Sequence, residues 1–179
     1  MKRSVLLLAV LILIASRGVV WAHGGGTPQL VNADAGPYWM SVWTQPDPLR
    51  VGQAHVTVAV SEPTETANGL REAGNPILNA DVRVRFVPLD GAGALLEATA
   101  THEGASNKLF YEADVALTDP GRWEVQVAVD GPNGSGNAAF EAQVAPPQAP
   151  IWPWVGGAGV LVLAGAWVVG RIRRQNGGN

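Results

Sequence analysis

Trp123-Glu124-Val125-Gln126-Val127-Ala128-Val129 places a large apolar side chain at every second position. Successive side chains of a strand point to opposite faces, so Trp123, Val125, Val127 and Val129 share one face while Glu124, Gln126 and Ala128 share the other. A helix would scatter those four apolar groups around its circumference. The segment therefore reads as an antiparallel strand with one side against a core and one toward water. The same period recurs in Val56, Val58 and Val60, set between His55, Thr57 and Ala59, and in Val82, Val84 and Phe86, set between Asp81, Arg83 and Arg85.

Working outward from these three segments, seven strands are expected: 37–45, 51–60, 80–87, 94–102, 109–117, 123–129 and 138–144. Asp90-Gly91 and the cluster Asp130-Gly131-Pro132-Asn133-Gly134 supply turn chemistry, since Gly and Asn accept positive φ. Asn133-Gly134-Ser135 also fits a glycosylation acceptor. The stretch Ser61 to Asn75 reads as one long polar connection, with room for a short helical turn, and as a candidate binding loop. About seven short strands without a strong amphipathic helix predict an all-β, immunoglobulin-like antiparallel β-sandwich.

The two ends of the chain carry a different signal. Lys2 and Arg3 precede the apolar run Val5 to Ala15, and Val20 and Ala22 offer cleavage-site side chains before His23. This predicts a secretory signal peptide over 1–22. From Ile151 to Gly170 no residue is charged. About 20 helical residues rising about 1.5 Å each cover a bilayer core, so a C-terminal transmembrane helix is expected over 151–170. Trp152 and Trp154 suit the outer interface, and Arg171, Arg173 and Arg174 place the short tail 171–179 in the cytoplasm. The Pro-rich linker 145–150 separates this span from the domain at 23–144. The expected topology is a single-pass type I protein of the cell membrane, its domain extracytoplasmic.

Charge excludes one class of partner. All fifteen acidic residues lie between Asp34 and Glu141, against six basic residues in the same interval, a net charge of −9 there. Such a domain repels phosphate backbones, so no nucleic-acid partner is expected. There is no cysteine, hence no disulfide, thiolate ligand or cysteine nucleophile. Ser41, Ser61, Ser106 and Ser135 lack a nucleophile-elbow context, and the carboxylates form no paired motif, so catalysis is not expected.

Cleavage after Ala22 would leave His23 with both a free amine and an imidazole. That pair chelates copper(II), which favours nitrogen donors in a tetragonal plane. A second imidazole can come only from His55 or His102, with Asp34, Met40 and Glu103 as outer or axial donors. The candidate metal ligands are therefore His23, His55 and His102, and the candidate cofactor is a copper ion. His55 and His102 each have a plainer reading. His55 shares a strand face with Thr57 and can simply meet solvent, and His102 shares parity with Leu96, Ala98 and Ala100 and can be a satisfied, partly buried side chain.

Three phrases carry a family resemblance: Gly74-Asn75-Pro76-Ile77-Leu78-Asn79-Ala80-Asp81-Val82-Arg83-Val84, Tyr111-Glu112-Ala113-Asp114-Val115-Ala116-Leu117, and Pro120-Gly121-Arg122-Trp123-Glu124-Val125. Over Val51 to Val144 the chain resembles the YtkA-like and FixH-like families of small membrane-associated extracytoplasmic β-sandwich domains. The resemblance implies copper handling or respiratory oxidase assembly. A histidine opening a β-sandwich is also similar to CopC-type copper proteins. The competing expectation is a metal-free protein-protein interaction or assembly module of a membrane complex, with Trp39 and Trp43 on one face of the first strand as an aromatic patch.

Overall fold

Strand alternation is carried through into two packed antiparallel sheets. The computed structural model describes residues 26–90 and 93–148, and its order is β1 (Thr27–Ala35), β2 (Tyr38–Gln45), β3 (Gly52–Glu65), β4 (Arg71–Pro76), β5 (Asp81–Pro88), β6 (Leu96–Ala100), β7 (Tyr111–Leu117), β8 (Gly121–Gly131) and β9 (Gly134–Val144). The expected signal peptide, His23, the transmembrane helix and the tail lie outside those residues, as does Gly91 of the expected Asp90-Gly91 turn. One sheet runs β1-β2-β3-β4, with β7 also paired to β3; the other runs β6-β5-β8-β9. The described residues thus form an all-β sandwich.

The alternating segments behave as their periodicity demands. Val56, Val58 and Val60, Val82, Val84 and Phe86, and Trp123, Val125, Val127 and Val129 are all buried in one core, joined from β2 by Tyr38, Met40 and Val42. Phe86 meets Trp123 edge-on, with ring centroids 6.5 Å apart. Burying one such Val or Phe side chain stabilises by about 1.5–3 kcal/mol, so this interleaved face dominates the fold. Backbone bridges tie the two sheets together at their margins. Thr101 and Glu112 exchange N–H···O bonds of 2.9 and 2.8 Å, and Ala145 bonds Leu49 and Val51 at 2.8 and 3.0 Å.

Among the described residues nine strands stand where about seven were expected, β1 and β4 being the additional ones. β1 carries Pro28 and Asn32 and two irregularities in its register with β2, and Asn32 adopts φ 49°. A bulged strand breaks the alternation that marks strands in sequence. The long polar connection at 61–75 is corrected more sharply: it is a β-hairpin. β3 continues to Glu65, the chain turns at Thr66 to Leu70, and β4 pairs back from Arg71. Its arms project beyond the core, so both faces stay largely polar and no apolar period develops. The expected strand at 94–102 shortens to Leu96–Ala100. The expected turn at 130–134 is present, with Gly131 opposite Gly134 across Pro132 and Asn133.

The only two tyrosines of the chain solve the same problem at one end of the sandwich. The Tyr38 hydroxyl donates to Gly134 O at 3.0 Å and accepts from Asn133 N at 2.9 Å. That of Tyr111 donates to Ile77 O and accepts from Ala80 N, both at 3.0 Å. Each phenol thus bridges a backbone N–H and a backbone carbonyl where the chain turns between strands. Close approach does the rest: a Cβ on Gly136 would lie 1.9 Å from Ala35 O, so only glycine lets β9 meet the end of β1.

Burial raises the Tyr111 phenol above its ordinary value of 10.0, an effect partly offset by the Ala80 hydrogen bond. A group neutral in the fold contributes its full stability below the unfolded value and loses it as pH rises through the folded one. Tyr111→Phe, which orphans Ala80 N and Ile77 O, is expected to cost about 1–3 kcal/mol at neutral pH in urea unfolding. That deficit should narrow as pH climbs past 10, and a gap constant with pH would contradict the assignment.

Candidate functional site

With Val56, Val58 and Val60 turned inward, the intervening residues of β3 must face out. The outer face of the first sheet is therefore built in rows across strands. Pro28, Trp43, Thr57 and Glu112 form one row through β1, β2, β3 and β7; Gln45, His55 and Asp114 form the next. Trp43 lies against Phe110, centroids 5.7 Å apart and tilted 40°, and both rings are half-buried. Trp39, farther along the same face, is buried and donates Nε1–H to Asp34 Oδ1 at 3.1 Å. An aromatic end thus adjoins an acidic one.

His55 is the centre of the acidic end. Its Nδ1 lies 2.9 Å from Asp114 Oδ1 and its Nε2 3.5 Å from Glu112 Oε2, an ion pair with each when the ring is protonated. Glu112 is the more enclosed carboxylate, its side chain 16% exposed against 63% for Asp114. In the neutral ring, donation from Nδ1–H to Asp114 fixes the tautomer and leaves the Nε2 lone pair directed toward Glu112. One imidazole nitrogen and one carboxylate oxygen then converge. Gly26 lies beside this row: a Cβ there would stand 2.4 Å from Thr44 O and 2.9 Å from Gln45 Cγ. Only a glycine can pass so close to β2.

His102 is placed elsewhere. It follows β6, and its ring lies against the buried Tyr111 ring, centroids 3.9 Å apart and tilted 42°, whereas the neighbour of Tyr111, Glu112, faces His55 on the opposite side of the strand. Nδ1 of His102 lies 2.8 Å from Phe110 O and Nε2 lies 3.1 Å from Leu78 O. Each ring nitrogen is thus capped by a backbone carbonyl, and neither has an open approach for a ligand. Lys108 Nζ donates to the carbonyls of His102 and Glu103, so this histidine organises the 101–110 loop. Of the other proposed donors, Met40 is fully buried in the core and Asp34 serves Trp39. His23 lies outside the described residues.

Among the described residues no group of three or more His, Asp or Glu side chains is disposed to hold a metal ion. His55 and Glu112 supply two donors and would need others from outside that set. Sequence reading found His55 but not its carboxylates, because Glu112 and Asp114 reach it only through the β3–β7 register. Period-2 alternation on both strands was the available signal, but it does not reveal which strands pair. No protein-family model matches the chain, and comparison with curated proteins finds no significantly similar sequence.

Two histidines with different surroundings should respond differently to truncation. His102→Ala removes two loop contacts and is expected to cost about 1–3 kcal/mol. His55→Ala, which loses only solvent-screened pairs at the surface, is expected to cost about 0–1 kcal/mol. Chemical denaturation of both variants checks this, and equal losses would contradict the structural division.

Proposed function

We propose that the chain is a single-pass, membrane-anchored extracytoplasmic binding module with an immunoglobulin-like sandwich. Its ligand is copper(II), held by the amine and imidazole of a mature N-terminal His23 together with His55. One observation carries this reading: Gly26 is packed against Gln45, and Gln45 is the cross-strand neighbour of His55. Two strand spacings of about 4.8 Å separate Gly26 from His55, and three residues span at most about 10 Å, so His23 is within reach of that imidazole. Gly24 and Gly25 permit the necessary reversal.

The donor chemistry agrees with that placement. Amine, two imidazoles and the Glu112 carboxylate make a nitrogen-rich, sulfur-free set suited to copper(II). Asp114 orients the His55 ring from Nδ1, a role that supporting carboxylates take behind metal-bound histidines. His102 and Met40 drop out of the donor set because their atoms are engaged or enclosed. The net charge of −9 in the acidic interval favours a cation over an anion. The half-exposed Trp43–Phe110 pair on the same face supports a second reading, a protein-docking surface without metal.

The test begins with mass spectrometry of the mature chain, expected to start at His23. Copper(II) titration should then show binding that His23→Ala, a one-residue N-terminal extension and His55→Ala each weaken about tenfold or more, equivalent to about 1.4 kcal/mol. His102→Ala, where folded, should leave affinity unchanged. Equal affinity in all four variants would sink the chelate; lost partner recovery in Trp43→Ala alone would favour docking.

A further inference from the structure

The chain enters and leaves the described domain at the same end. Gly26 precedes the Thr27–Thr44 pair, and Ala145 is bonded between Leu49 and Val51, so both exits lie beside the 45–51 connection. The second sheet ends there too, where Gly121 pairs with Val144 and Leu89 N donates to Arg122 O. At that end Leu89 and Leu95 are 40% and 55% exposed, and Pro46, Pro48, Pro120, Pro146 and Pro147 in the segments that meet there are exposed too. The Asp90 carboxylate there is neutralised by Arg122, whose N, Nε and Nη2 donate at 2.9, 3.2 and 3.0 Å.

Length then restricts what this end can face. Between Ala145 and the uncharged stretch beginning at Ile151 stand only Pro146-Pro147-Gln148-Ala149-Pro150. Five residues reach at most about 17 Å even fully extended. The hairpin tip, by contrast, stands at the far end of β3, whose fourteen residues span about 45 Å.

We infer that this end of the sandwich rests on the lipid surface, with Leu89 and Leu95 in contact with the bilayer and the β3–β4 hairpin held distal. The inference depends on the 151–170 span proposed above. The occupant is a bilayer, because the spacer is too short to admit another folded domain between this end and the span. Leucines placed at headgroup depth gain apolar contact, while the paired Asp90 and Arg122 remain at the wet rim. The hairpin residue Leu70, 63% exposed at the opposite end of β3, serves as the control.

Because the chain has no cysteine, single-site labels are unambiguous. Leu89→Cys, Leu95→Cys and Leu70→Cys variants of the full chain would carry an environment-sensitive fluorophore in phosphatidylcholine vesicles. Labels at 89 and 95 are expected to shift to shorter wavelength and to lose intensity with spin-labelled lipid, whereas the label at 70 keeps both. If positions 89 and 95 respond no more than 70 while the chain resists alkaline carbonate extraction, the lipid contact is overturned and the span stands. If carbonate strips the chain from the vesicles, both readings fall.

Discussion

Everything on the outer face of the first sheet depends on the inward packing of Val56, Val58 and Val60. A strand alternates strictly, so a slip of one residue would turn three buried valines to water and carry His55 into the core. Several kcal/mol of apolar burial therefore oppose any change in the orientation of a surface histidine. β3 also pairs with β2 and β7 along this stretch, so the same register decides which residues of two other strands stand beside His55. The candidate site is a by-product of core packing.

Polar closure at the hairpin end follows a different rule. Tyr38 and Tyr111 each place a ring in the apolar interior and a hydroxyl between a turn N–H and a turn carbonyl. Buried backbone groups must be paired, and at a sandwich end neither sheet can pair them. His102, lying against Tyr111 and wedged between Phe110 O and Leu78 O, extends that closure to a third loop. Its parity with Leu96, Ala98 and Ala100 left a partly buried side chain open beside the ligand role.

Legibility in the sequence followed apolar periodicity. β5, β7 and β8 were readable because one face is core and the other water. β1 and β4 were not, since bulges and an all-polar hairpin leave no period to detect. The reading of Ser61 to Asn75 as a loop was reasonable locally, for Pro63, Gly69 and Gly74 are turn residues; only the extension of β3 beyond the core turns them into hairpin positions.

By itself, the sequence determined the strand faces, the acidic interval and the histidine inventory, because alternation, charge and composition are local properties of a chain. Tertiary structure decided which faces meet. It joined His55 to Glu112 and Asp114 across fifty-seven and fifty-nine residues of separation, put His102 against Tyr111 on the other side of β7, and brought Gly26 beside Gln45. Strand partnership arises from closing long loops against a shared core, and no local pattern encodes it.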